Sequence, residues 1–136
     1  VNPEARLPRN YSRFVGLMEQ LFEFGKVPPS GQFLLELKRQ SLSQLLREIK
    51  PDYVMAFSTK GVPNTLEEAV LKLSSRERPV VLVGGFPHNH FSEVTLKLVN
   101  ELICIDPDML ETWTVTSRLI YEYERLISLP QKRLKG

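Results

Sequence analysis

The amino-acid sequence predicts an α/β domain built around a parallel sheet. From Pro51 onward the chain passes three times through an apolar strand, a turn-rich loop and an amphipathic helix. That alternation is the pattern of parallel sheets whose crossovers are helical. The strand candidates 53–57, 80–83 and 102–105 are apolar throughout, as burial on both faces requires. At 136 residues the chain has the size of one domain with a real core.

Each element follows from local signals. Pro3 and Pro8 bar an early helix, so residues 1–9 are irregular. Asn10 or Ser12 caps a helix that runs to about Phe24 and stops at Gly25. Phe14, Leu17, Met18, Leu21 and Phe22 share one face of it, which is expected to be buried. Gly16 costs about 1 kcal/mol against Ala inside a helix, and so suggests close packing there. Residues 26–31, with Pro28 and Pro29, read as a loop and 33–37 as a short strand. Ser41 or Ser43 starts a short helix to Ile49, closed by Pro51.

The first parallel strand, 53–57, leads into a loop over 58–64, where Asn64 and Glu67 form a capping box for a helix over 65–75. The second strand, 80–83, ends at Gly84-Gly85, and Ser92 caps a helix over 93–99. After the third strand, Asp106-Pro107 opens a long helix to about Ile127. The basic tail, Lys132, Arg133 and Lys135, is expected to fray.

Composition narrows the function classes. A formal net charge of +2 does not announce nucleic acid, so any such argument must rest on clustering. A single cysteine, Cys104, excludes a disulfide framework and fits a reducing compartment, here taken as cytoplasmic. No apolar run reaches transmembrane length and no signal peptide is visible, so no membrane partner is expected. The start at Val1 on the turn-like Asn2-Pro3-Glu4 reads as a fragment lacking its N-terminal part; a purification scar or processing reads the same way.

Three strand ends carry turns with free backbone groups: Ser58-Thr59-Lys60-Gly61, Gly84-Gly85-Phe86-Pro87 and Ile105-Asp106-Pro107. Open α/β sheets bind ligands at the carboxyl ends of their strands. Such groups suit an adenine edge, with Phe86 or Leu110 against its ring; three ordinary connections are an equally open reading. Neither G-x-G-x-x-G nor G-x-x-x-x-G-K-[ST] is present, so dinucleotide and nucleoside-triphosphate loops are unsupported.

His88 and His90, with no cysteine or third histidine nearby, do not complete a zinc shell, and a structural or solvent-facing role is favoured. There is no evident Ser-His-Asp grouping, and Cys104 in mid-strand reads as packing. Arg6, Arg9 and Arg13, pinned by Pro8, suit the phosphates of an RNA backbone, with Asn10 and Tyr11 placed to meet a splayed base. A solvated basic edge is the competing reading. Trp113 reads as a core anchor by default; the stripe Leu110, Trp113, Ser117, Ile120 and Tyr121 offers a dimer face instead.

Three ordered motifs resemble a known family. They are Arg6-Leu7-Pro8-Arg9-Asn10-Tyr11-Ser12-Arg13-Phe14-Val15-Gly16-Leu17-Met18, then Val83-Gly84-Gly85-Phe86-Pro87-His88 with Phe91-Ser92, then Ile105-Asp106-Pro107 with Leu110-Glu111-Thr112-Trp113-Thr114-Val115. Together they resemble the ribosomal small-subunit rRNA pseudouridine (N1)-methyltransferases, ribosome biogenesis proteins of the SPOUT class, and look closest to archaeal members. The resemblance implies one SPOUT-type α/β domain over 1–136. Within it, 1–50 would be a helical part facing RNA and 51–127 a cofactor-binding part tied in a trefoil knot.

It implies S-adenosyl-L-methionine as cofactor, a homodimer, small-subunit rRNA as partner and ribosomal assembly proteins beside it. By motif matching, the cofactor would meet Phe57, Ser58, Thr59, Gly61, Val83, Gly84, Gly85, Phe86, Ile103, Ile105, Asp106, Leu110 and Thr114. RNA would meet Arg6, Arg9, Asn10 and Arg13. Asn89 stands where glycine is expected; Asn tolerates the left-handed conformation better than most residues.

The family also begins well upstream, with further RNA-facing residues. A chain lacking them would bind cofactor without positioning rRNA, and so be inactive alone. The implied reaction is methylation of N1 of a pseudouridine. A non-catalytic RNA-binding assembly factor, or the same fold acting on another RNA atom, are the alternatives. No general base is assigned; Asp106 and Glu111 are the nearest carboxylates, with helix capping the simpler role for Asp106.

Overall fold

A computed structural model describes residues 6–85 and 90–135. The chain divides into two compact units, Val1–Ser41 and Leu42–Gly136.

In the first unit, α1 spans Tyr11–Phe24. Its start is set by Asn10, whose side chain accepts the Arg13 N–H at 3.1 Å. Its end is set by Gly25 at φ 73°, in the left-handed region that glycine enters without a Cβ penalty. The expected loop after it contains a strand, β1 (Lys26–Val27), antiparallel to β2 (Leu35–Glu36). Pro28 and Pro29 follow β1 and have no N–H to give to a ladder, and both strands stay at two residues.

Leu21, Val27 and Leu35 form the unit's core, with Leu17 and Met18 packed against it. The buried stripe of α1 is therefore narrower than its sequence suggests. Phe14 is 38% exposed and Phe22 71% exposed, because a two-residue ribbon covers little of the helix. Gly16 is not a close-packing site either, since an added Cβ would meet nothing within 4 Å.

In the second unit, β3 (Tyr53–Pro63), β4 (Pro79–Leu82) and β5 (Glu101–Cys104) form a parallel sheet in the order β4-β3-β5. Side chains alternate across a strand, and the two faces of β3 are both buried. Tyr53, Met55 and Phe57 point to one of them. There they meet Ala69 and Leu73 from α3 (Leu66–Ser74), Val115 from α5 (Thr112–Leu126) and Ile103 from β5. Val54 and Ala56, on the other face, are buried as well. Met55, Leu73 and Ile103 are almost fully enclosed, each contributing roughly 1.5–3 kcal/mol of burial. The shorter helices are α2 (Leu42–Ile49), α4 (Glu93–Leu96) capped by Ser92, and α6 (Leu129–Lys135).

Several boundaries differ from their sequence expectations, those of β4 and β5 by only one residue. β3 does not end at Phe57 but continues to Pro63. Asn64 still donates its N–H to the Cys104 carbonyl at 3.0 Å, so α3 starts one residue later than expected, with Thr65 and Glu68 as the capping box. α4 stops at Leu96, short of the expected 99.

Residues 107–111 are not helical. Asp106 Oδ1 accepts the Asp108 N–H at 3.0 Å, an Asx turn that redirects the chain, and α5 begins only at Thr112. The basic tail is helical rather than frayed, with Arg133 paired to Glu124 at 3.5 Å.

The central strand is used twice. Phe57 and then Val62 both pair with Ile103 of β5, so residues 58–61 leave the ladder and rejoin it. Gly61 lies against the Ile103 backbone, where a Cβ would come within 2.5 Å of the Ile103 carbonyl carbon. Tyr53 and Glu101, at the amino ends of β3 and β5, anchor a polar cluster. The Tyr53 hydroxyl and the Lys72 ammonium both donate to Glu101, Lys72 also reaches Asn64 Oδ1 at 3.0 Å, and the Arg76 guanidinium sits 4.8 Å from the Tyr53 ring centre. Hydrogen bonds from Lys72 and then Tyr53 hold the Glu101 carboxyl below its ordinary value. Burial, reinforced by Glu101, pushes the Tyr53 phenol up to about 12.

Gly61→Ala should therefore lose at least about 2 kcal/mol by overpacking, whereas Gly16→Ala should gain up to about 1 kcal/mol of helix stability; urea unfolding followed by circular dichroism measures both. Because the folded Glu101 carboxyl is the stronger acid, its contribution is complete above the unfolded value near 4.5 and fades as pH falls toward the folded one. Urea midpoints taken down that range should fall less steeply in Glu101→Gln than in the parent.

Candidate functional site

At the carboxyl ends of the three strands the second unit forms a cleft of about 470 Å³, within the range of small-molecule sites. Phe57, Ser58 and Thr59 supply one wall, where β3 leaves its pairing with β5. Val83 and Gly84, just past β4, supply a second. The third runs from Ile105 and Asp106 through the Asx turn to Thr112 and Val115 in the first turn of α5. His90 and Phe91 close the rim.

Several hydrogen bonds set these walls. Ser58 Oγ accepts the Lys60 N–H at 3.3 Å and lies 3.5 Å from His90 Nδ1. Cys104, half-buried at the end of β5, donates its thiol to the Asp106 carbonyl at 3.1 Å. The Thr112 hydroxyl donates to the Gly84 carbonyl at 2.6 Å, joining the second wall to the third.

The lining chemistry is mixed in a useful way. Phe57, Ile105, Met109 and Leu110 give apolar surface for a flat ring. The ends of the strands leave backbone donors and acceptors without ladder partners, the requirement for reading a heterocycle's edge. Asp106, Asp108 and Glu111 place carboxylates on one side, which favours a ligand carrying positive charge.

The sequence-expected residues divide cleanly. Phe57, Ser58, Thr59, Val83, Gly84, Ile105, Asp106 and Leu110 line the cleft. Gly61 and Ile103 do not; they pack against each other in the β3–β5 contact. Gly85 is exposed beside Gly84, and Thr114 is half-buried on α5 away from the lining. Phe86 lies outside the described residues, as do Pro87, His88 and Asn89. Of the other lining residues, Asp108, Met109, Thr112 and Val115 fall within the third expected cofactor segment, 103–115, without being named singly as contacts; His90 was weighed only as a zinc ligand and Phe91 only as part of the second motif. The Asp-x-Asp spacing of 106–108 was the available signal, since it marks an Asx turn rather than a helix start.

In the first unit, Arg6, Arg9 and Arg13 are exposed and have no ion-pair partner among the described residues. Asn10 Oδ1 is engaged in capping α1. Trp113 is not a core anchor: it is 70% exposed, in line along α5 with exposed Ile120 and Tyr121. Among the described residues no cluster of three or more His, Cys, Asp or Glu could hold a metal, and no helix is long and apolar enough to cross a membrane.

Comparison with known proteins places this geometry in context. The profile of the EMG1/NEP1 methyltransferase family matches residues 1–124. The ribosomal RNA small subunit methyltransferase Nep1 of Thermococcus onnurineus is 39% identical over 127 residues, covering 93% of this chain and 56% of the relative. That of Pyrococcus furiosus is 41% identical over 124 residues, covering 91% and 54%. The crystal structure of Archaeoglobus fulgidus Nep1 bound to S-adenosylhomocysteine superposes with a TM-score of 0.72 at 35% identity, over 94% of this chain and 56% of that one. The shared fold is a parallel-sheet α/β fold of the SPOUT class, as the motifs implied. The chain spans about half the length of the curated relatives it matches.

Proposed function

The chain belongs to the EMG1/NEP1 methyltransferase family, and from that premise we propose that it carries the S-adenosylmethionine-binding part of an enzyme that methylates N1 of a pseudouridine in small-subunit rRNA. The observation that carries this reading is the cleft itself. Three strand-end turns converge on it, within a segment matched by relatives named as small-subunit rRNA methyltransferases and by a structure bound to S-adenosylhomocysteine. The residues present suit such a ligand. Phe57, Ile105, Met109 and Leu110 would flank its adenine, Gly84 and Ser58 would offer backbone groups to its polar edges, and Asp106, Asp108 and Glu111 would favour its cationic end.

When bound, S-adenosylmethionine supplies a methyl group on a positively charged sulfur, which a nucleophile attacks in line. The chain's task is then to hold both partners. Positioning of this kind contributes roughly 7–11 kcal/mol when the reacting atoms are kept at near-attack distance. The target base must be splayed from its stack to reach the cleft, as single-stranded RNA recognition generally requires. Asp106 and Glu111 are the proposed acceptors for the N1 proton. Of the two, Glu111 makes no side-chain cap bond, which leaves its carboxylate available.

The finer assignments rest on the same premise. Exposed Arg6, Arg9 and Arg13 would hold rRNA phosphates through forked, charge-assisted hydrogen bonds. Exposed Trp113, Ile120 and Tyr121 suit the face of a homodimer. A trefoil knot in 51–127 is the topology that family membership would give this sheet. Ribosomal assembly proteins are the proposed neighbours, and the cytoplasm the proposed compartment.

Titration calorimetry of the folded chain with S-adenosylhomocysteine should show one saturable site; no binding would remove the cofactor assignment. Arg9→Ala should weaken binding to an rRNA hairpin carrying pseudouridine and lower the slope of log affinity against log salt by about 1. Its S-adenosylhomocysteine affinity should be unchanged, and an undiminished slope would take Arg9 out of the phosphate contacts.

A further inference from the structure

α5 begins in an unusual way. Its N-cap, Glu111, makes no side-chain cap bond, although the next residue is a threonine, a type that readily bonds nearby backbone. The Thr112 hydroxyl is used elsewhere. It donates at 2.6 Å to the carbonyl of Gly84, a residue on a different wall of the cleft and 28 positions away in sequence.

This bond acts on the peptide linking Gly84 to Gly85. Two successive glycines have the widest choice of backbone angles of any pair, and a peptide between them can turn over with little steric resistance. A trans peptide is planar, with its C=O and N–H pointing to opposite sides. Fixing the Gly84 carbonyl toward Thr112 therefore directs the Gly85 N–H away from Thr112. A reversed peptide would exchange donor for acceptor at this point of the turn. Threonine suits the task because its hydroxyl already donates to this carbonyl.

We propose that Thr112 is a positioning residue for the methyl donor: its hydroxyl locks the Gly84–Gly85 peptide in one orientation and so sets the backbone hydrogen-bonding pattern that the cofactor meets. The inference rests on the cofactor reading above and adds to it a residue of the cleft lining whose hydroxyl acts through the glycine turn.

The test uses the whole chain and S-adenosylhomocysteine. Thr112→Val keeps the shape and removes the hydroxyl, and should raise the dissociation constant about tenfold, the scale of one net hydrogen bond. Thr112→Ser restores the donor and should return the constant to within about twofold of the parent. Thr116→Val is the matched control. Its hydroxyl donates to the Thr112 carbonyl at 2.7 Å, one turn along α5 and outside the cleft lining, so affinity should not change. A merely structural role would lower the melting temperature of Thr112→Val while leaving the affinity of the folded protein intact, and that result overturns the proposal. Thr112→Ala replaces the valine variant if valine is poorly accommodated. Failure of the parent chain itself to bind overturns the cofactor reading together with the inference; binding by the parent and equal binding by Thr112→Val overturns the inference alone.

Discussion

The second unit depends on the contact between Gly61 and Ile103. β3 pairs with β5 up to Phe57, departs for four residues and returns to pair at Val62. Both pairings use Ile103, so the chain must pass within van der Waals reach of the Ile103 backbone, and only a residue without a Cβ can do so. Ile103 is fully buried as a result and sits in the same cluster as Met55, Phe57 and Leu73. One steric requirement thus joins the core to the loop that leaves it.

The cleft is a consequence of that departure. A strand in mid-ladder has its N–H and C=O groups committed to neighbours, and an unpaired buried group is costly. Where β3 steps away from β5, and where β4 and β5 end, those groups become available to a ligand instead. The apolar residues beside them belong to the same strands, so hydrophobic surface and hydrogen-bonding edges meet without any dedicated loop insertion. The opposite end of the sheet is handled differently. There Tyr53 and Lys72 both donate to Glu101, which ties β3, α3 and β5 together.

Elements governed by neighbours in sequence were readable in advance. α1 begins at Asn10 and ends at Gly25 because a side-chain oxygen and a missing Cβ act within a few residues. The three parallel strands were visible as apolar runs, and the rule that ligands sit at their carboxyl ends pointed to the three strand-end turns that meet at the cleft. Misreadings arose where a partner distant in sequence overrode the local signal. Asn64 resembles an N-cap, but its N–H is taken by Cys104, so the cap moves to Thr65. Phe14, Phe22 and Trp113 have the spacing or size of core residues, yet the packing of their own units leaves them exposed.

The sequence by itself placed the three parallel strands and the principal helices, and it carried the motifs that identify the family, because caps, breakers and apolar periodicity act over a few residues. Only the tertiary structure decided that Gly61 serves Ile103 rather than the cleft, that 107–111 is wall rather than helix, and that Thr112 reaches Gly84. Each of those outcomes depends on two chain segments arriving at one place. Contacts of that kind are set by the register and crossing of strands, which no local window of residues encodes.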